Sequence, residues 1–422
     1  MSENLHIKNA TIVDQSSTHH LDQVDILIEN GVISKIEKNL TSDYPDFTAT
    51  NLYVSQGWID LRANFCDPGF EYKEDINSGL KAAAMGGYTA VVVSPSTLPI
   101  TDTKAGIEYM LNKANHKTVE LFPMGALSQK MKGESITEMY DMKNAGAVGF
   151  TDNKNSIQNP ELLKTALLYA KSCETLVVHF PSDRSIAGNG QVNEGINSTK
   201  YGIKGIPALA EELIVARDIF LTEYTNSRLH ITGITTEKSV DLIRQAKKKG
   251  IKITCDIIAH HLLLDDTKIS SFDTNFKLLP PLREKKNIDA LYEGLNDGTI
   301  DAIISDHTPH DEDAKKKEFD IADFGAIGLE SCFGVITKGC KNKVELTSII
   351  DKLTTNPRNI LGMPSPSISV GKNANLTFFD PSSKWLFEEK HIASKSKNSP
   401  HLGSKLTGKV LGSYNKKNLS TI

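Results

Sequence analysis

The sequence predicts an α/β fold: a barrel of eight βα units held between two β-rich chain ends. Two observations predict it. Between residues 52 and 364, eight short Val- and Ile-rich runs alternate with longer helical patterns, the texture of strands and helices around a closed parallel sheet. The first fifty residues and the stretch beyond about residue 365 read instead as strands and turns, so the two ends are expected to pair into one small β-sheet domain. The expected boundaries are 1–51 for the first part of that domain, 52–364 for the barrel and 365–422 for its second part.

In chain order, "HIKNATIVD" and "VDILIENGVISKIEK" alternate apolar and polar residues, and Asn30-Gly31 between two such runs is a hairpin signal. The eight barrel runs are "LYVSQGWIDL", "YTAVVVSPS", "TVELFPMGA", "AVGFTDN", "TLVVHFP", "RLHITGIT", "KITCDIIAHH" and "DAIISDHTPH". Helices are expected at 73–86, 102–115, 160–173, 207–225, 236–249 and 286–297. In the fifth of these, Val240, Ile243 and Ala246 share a face that should pack on the barrel. The segments "SISVGKNANLTFFDP" and "LTGKVLGSY" supply strands at the C-terminal end, and the polar "EEKHIASKSKNSPHLGSK" (388–405) reads as a surface loop.

Composition narrows the function. The chain has 422 residues, enough for one large domain and a smaller one, and its formal net charge is −4 with no long run of one sign. That balance argues against nucleic acid as a partner, and the densest basic run, Lys315 to Lys317, reads as a solvated loop. No apolar stretch approaches the roughly 18 residues of a membrane span and the N-terminus has no signal pattern, so a cytoplasmic protein is expected. Five scattered cysteines without a CxxC argue against disulfides or a thiolate zinc site.

In a barrel of this kind, chemistry gathers where strands end at the C-terminal mouth. That rule selects Arg62, Asn64 and Cys66 after strand one, Asp152 after strand four, His179 after strand five and Gly233 after strand six. Strand seven adds His260 and His261, and strand eight adds Asp306, His307 and His310. Asp152, His179 and Asp306 come from three strands at one level, the donor types of a divalent metal site. His260 and His261 are adjacent, so at most one should face the mouth.

The runs "DPGFEYKEDINSGLKAAAMGGYTAVV", "GIKGIPALAEELIVARDIFL", "TTEKSVDLIRQAKKKGIKITCDIIAHHLLL", "NFKLLPPLREKKNIDALYEGLNDGTIDAIISDHTPH" and "FGAIGLE" resemble the dihydroorotase family of the amidohydrolase superfamily. The resemblance covers essentially the whole chain. It implies a TIM-type barrel and a zinc-dependent interconversion of carbamoyl-aspartate and dihydroorotate. By that resemblance Asp152, His179 and Asp306 fall on metal positions, with Asp306 also the general base, and His310 falls on a place that meets the substrate carboxylate. The family's strand-one His-x-His pair falls on Arg62 and Asn64, and its strand-six ligand on Gly233. His230 fills an earlier, non-ligand place. Cys66, Ser96 and Leu279 stand where the family grips substrate.

Arg offers no lone pair, Asn is a weak neutral ligand and Gly offers nothing, so a binuclear zinc centre is not expected. The leading expectation is a non-catalytic homologue without a cofactor, acting as a structural partner; the resemblance suggests aspartate carbamoyltransferase as that partner, and a homo-oligomer such as a dimer. The alternative is an active dihydroorotase, or another cyclic amidohydrolase, using one zinc ion at Asp152, His179 and Asp306. A third reading has the altered mouth bind another small molecule, with Arg62 in a salt bridge to Asp306 or Asp152 where metals would sit. The loop "DEDAKKKEFDIADFG" after strand eight is open to reading as a lid or as a plain connection.

Overall fold

The computed structural model describes residues 3–115 and 117–422. Seven barrel strands run parallel: Trp58–Ala63, Tyr88–Val93, Glu120–Pro123, Val177–His179, Leu229–Ile231, Ile253–Ile258 and Ala302–Ile304. The fourth place is taken by a segment at Phe150, bridged to Gly125 on one side and Val177 on the other; a bridge from Ala63 to His307 closes the ring. Ile59, Leu61, Ala90, Val92, Val178, Ile258, Ala302 and Ile304 pack together in its interior. The strands are apolar along their length because both faces of a barrel strand are covered.

The helices fall where the periodicity places them, trimmed by their caps. Asp75 accepts from the Ser78 amide and opens Ile76–Met85; Thr236 does the same through Ser239 for Glu237–Lys248. In the latter helix Val240, Ile243 and Ala246 are buried, the face its spacing selects.

The chain ends join in one eight-stranded sheet. Its order is Asn418–Thr421, Lys405–Asn415, Leu376–Leu386, Tyr53–Gln56, Leu5–Val13, Gln23–Glu29, Val32–Glu37, with Asp46–Phe47 beside Leu5–Val13. Asn30 and Gly31 both take positive φ, the hairpin the sequence signals. The run expected as barrel strand one is two strands. Tyr53–Gln56 pairs with Leu5–Val13 and Leu376–Leu386, and Trp58–Ala63 enters the barrel. Gly57 sits at the break, where a Cβ would collide with Asn375 and Thr89.

Two expectations of exposure are corrected. Ser394, Ser396, Asn398, Ser399 and His401 of the 388–405 segment are buried, because they satisfy polar groups of the barrel: Ser394 bonds Glu74, Asn398 accepts from the His310 amide, and His401 meets His260 at 2.9 Å. Lys315 is buried too, its ammonium donating to the carbonyls of Asp323 and Gly325 at 2.8 and 3.0 Å. All five cysteines are free and buried. Among the described residues no helix is long and apolar enough to cross a membrane.

Candidate active site

Arg62 and Asp306 project from the ends of strands one and eight into the same buried space. Arg62 Nε donates to Asp306 Oδ1 at 2.9 Å, and Nη2 lies 2.7 Å from the same oxygen, so the guanidinium forms a close ion pair with the carboxylate through one hydrogen bond. Lys154 Nζ holds the other, Oδ2, at 2.9 Å. Arg62 also donates from Nη1 to Thr232 Oγ1 at 3.0 Å and lies over the Phe180 ring at 5.7 Å. Burial would raise the Asp306 carboxyl, but Arg62 and Lys154 overcome it and hold the group below its ordinary value. Burial lowers Lys154 against the pull of Asp306. Two cations and one anion leave this point of the mouth positive.

The remaining expected metal donors are spent elsewhere. Asp152 accepts the Leu127 and Ser128 amides at 2.9 Å on Oδ1 and the Ser128 hydroxyl on Oδ2, so its carboxylate ties down the loop after strand three. His179 Nε2 accepts from the Ile157 amide at 2.9 Å, which places the proton on Nδ1, facing Asp218 Oδ2 at 2.5 Å. The lone pair a metal would need is already used. Asn64 turns its carbonyl toward the Ser94 hydroxyl and Asn153 Nδ2, and its amide donates to Thr308 Oγ1 at 3.1 Å. At Gly233, a Cβ would stand 3.5 Å from Arg62 Nη1, so arginine fills the space a histidine there would need. His230 pairs with Asp256 at 2.9 Å.

Among the described residues no three His, Cys, Asp or Glu side chains group so as to hold a metal ion. The donor set therefore does not fit zinc, in either the binuclear or the residual single-ion form expected from Asp152, His179 and Asp306. Asp152 and the His179 lone pair are engaged by protein donors, and Asp306 is flanked by two cations that would repel a metal ion.

The substrate positions are likewise occupied. His310 faces the Phe324 carbonyl through Nε2 at 2.9 Å, and burial pushes its imidazole down to about 4, so it is a neutral strut of the loop after strand eight. Burial pushes the Cys66 thiol up to about 12, which rules out a thiolate nucleophile at neutral pH. Ser96 accepts from Asn153 Nδ2 at 2.8 Å, and Leu279, half-buried, precedes a cis proline. His260 and His261 lie on a short helical turn after strand seven and burial holds them neutral, near 3 and 4.

The structure thus unites Arg62 and Asp306 as the sequence suggests, and adds Lys154, Thr232 and Phe180, which sequence reasoning missed. A signal existed for Lys154: it stands two residues beyond Asp152, on the turn that follows the fourth barrel segment.

A dihydro-orotase-like family model matches residues 52–239. The dihydroorotase of Geotalea daltonii is 41% identical over 410 residues, 96% of each chain; that of Thermoanaerobacter sp. is 42% identical over 408 residues, 96% of this chain and 94% of that one. Among solved structures, the L-hydantoinase (dihydropyrimidinase) from Arthrobacter aurescens superimposes with a TM-score of 0.86 at 21% identity, covering 99% of this chain and 96% of that chain. That likeness establishes the barrel fold. The curated relatives correct the expectation of a non-catalytic structural role, since chains alike over nearly their whole length are dihydroorotases by name.

Proposed function

The chain belongs to the dihydroorotase family, and from that premise we propose that it is a cyclic amidohydrolase interconverting carbamoyl-aspartate and dihydroorotate at the barrel mouth, with Arg62 and Lys154 as its cations. The observation that carries the reading is 41% identity to a curated dihydroorotase over 96% of both chains. The donor set does not fit zinc, so the chemistry is assigned to the residues present.

Ring closure joins the ureido nitrogen to the side-chain carboxyl carbon of carbamoyl-aspartate and releases water; hydrolysis runs the same steps backwards. Both directions pass through a tetrahedral carbon bearing a negative oxygen, and fixed donors in a water-poor site stabilise such an oxygen most. Arg62 and Lys154 supply them, while Asp306 between the two is placed to take the proton from nitrogen or water. A carboxylate held below its ordinary value is a weak base, so turnover is slow.

The test is cyclisation of carbamoyl-aspartate by purified full-length protein, with and without a zinc chelator. Expected is slow turnover indifferent to the chelator, lost in Asp306→Asn, and cut by about 10² to 10³ in Lys154→Met, the effect of removing one oxyanion donor. A folded protein with no turnover under either condition overturns the proposal. Turnover that appears only with added zinc overturns the assignment to Arg62 and Lys154.

A further inference from the structure

At the end of the barrel away from the mouth lies a cleft of about 800 Å³. Its floor is apolar: Ile59, Ala90 and Phe122 stand near the starts of strands one, two and three, and Met363 and Pro364 follow the short helix Thr355–Leu361. Its rim comes from the end sheet, through the hairpin turn at Asn30-Gly31, the segment 372–375 and the turn before the last strand, Asn418–Thr421. The volume falls within the roughly 300–1,000 Å³ of sites that hold small organic molecules. Barrel chemistry belongs to the opposite end, so an occupant here is not the substrate of the mouth.

The charges of this cleft are out of balance. Arg358, Lys372, Lys416 and Lys417 line it against the acid Glu120, four cations to one anion and a net charge of +3. Glu120 is already taken by Lys416 at 3.4 Å, and Lys417 reaches Glu3 at 3.7 Å. Among the described residues Arg358 and Lys372 make no ion pair. Arg358 is only 5% exposed, yet among the described residues its guanidinium makes a single hydrogen bond, from Nη1 to the Thr354 carbonyl at 3.0 Å. None of its other nitrogens is sealed inside the protein, so the remaining donors open into the cleft. Burial lowers the guanidinium to about 10 against the pull of Glu120, and it stays charged at neutral pH. A buried cation without a counter-charge is costly, and an anion in the cleft relieves that cost.

We infer that this cleft binds a phosphate ester with a flat aromatic body, of mononucleotide size, whose phosphate meets Arg358 and Lys372 and whose ring lies on the floor at Phe122. The excess charge favours phosphate over carboxylate, since a phosphate monoester carries roughly −1.5 to −2 at neutral pH and a carboxylate a single charge. The planar fork of a guanidinium matches two phosphate oxygens at once. A free phosphate ion would leave the apolar floor bare, whereas an aromatic ring covers it and packs against Phe122. Such a ligand touches the barrel, the helix Thr355–Leu361 and the end sheet together, and so ties the two units of the chain to one another.

Calorimetric titration of the full-length protein with each of the common ribonucleoside monophosphates, and with inorganic phosphate, tests it. At least one monophosphate should bind one-to-one, about tenfold or more tighter than inorganic phosphate, the contribution of a stacked base. Arg358→Met should weaken that binding by about 10- to 100-fold, the effect of losing a charge-assisted hydrogen bond. Lys372→Glu, at an exposed position, should weaken it at low salt with no change in circular dichroism, and Lys154→Met, at the mouth, should leave it as it was. In the wild type, hydrogen exchange across 363–375 and 415–417 should slow when the monophosphate is added, a readout that needs no variant to fold. Absence of binding by every probe at millimolar concentration, or inorganic phosphate binding as tightly as the esters, overturns the inference. So does binding that survives both Arg358→Met and Lys372→Glu, or that disappears in Lys154→Met, which would place the anion at the mouth.

Discussion

Removing the Arg62 side chain would leave the Asp306 carboxylate buried with Lys154 alone, and an incompletely paired buried charge is costly. Arg62→Met should therefore destabilise the protein by about 3–5 kcal/mol in urea unfolding, and a loss well below that range would show that solvent reaches the pair. The same pairing sets a pH dependence. Asp306 has a folded value below the unfolded one of about 3.9, so its contribution is complete above that pH and is lost as pH falls through the folded value. Asp306→Asn should accordingly flatten the loss of stability of the wild type below about pH 4. The Arg62 to Asp306 contact was legible in the sequence, because both residues end barrel strands and must meet at the mouth. Lys154 was not read, since a lysine just past a strand end is most often solvated. The fates of Asp152 and His179 were hidden for a different reason: their partners are the Leu127 and Ser128 amides, the Ile157 amide and Asp218, and main-chain donors leave no mark on residue type.

At the scale of elements, helices and strands were legible from periodicity and caps, whereas segments whose polar residues turn inward were not. The segment 388–405 and the loop after strand eight both look hydrophilic, yet each is fixed by hydrogen bonds into the barrel. Buried Lys277 is the chief fastening of that loop, with Nζ donating to the carbonyls of Phe319 and Asp320 at 2.8 and 3.0 Å beneath the Phe319 and Phe324 rings. Lys277→Met keeps the apolar stem and removes both bonds, each worth about 1.5–3 kcal/mol when the donor is charged. Hydrogen exchange across 311–325 should rise by orders of magnitude in this variant while the barrel strands stay protected. Unchanged exchange in the loop would mean that Lys315 and His310 suffice to hold it. Glycine at 57 is the opposite case, a residue whose role is visible only once Asn375 is brought beside it from the far end of the chain.

At the scale of the whole molecule, the resemblance of the two chain ends in texture was enough to pair them, but not to reveal how tightly their sheet is joined to the barrel. Trp58, with no exposed surface, opens the first barrel strand and touches both units: its ring lies 4.8 Å from Phe333 on a barrel helix and 5.5 Å from Phe379 in the end sheet. Phe333 and Phe379 are themselves 5.2 Å apart, so the three rings form one cluster across the joint. Tyr53–Gln56, one residue upstream of that strand, is hydrogen-bonded between the N-terminal and C-terminal parts of the sheet. Neither unit can come apart without exposing the cluster, and unfolding should be cooperative across both. Phe379→Ala should cost about 3–5 kcal/mol, the usual loss for a large buried aromatic. Fluorescence of the two tryptophans, Trp58 at the joint and Trp385 in the sheet, should report the same midpoint as far-ultraviolet circular dichroism, which follows the barrel helices. If the fluorescence transition instead precedes the loss of helix in the wild type, the end sheet unfolds independently and the aromatic joint does not couple the two units.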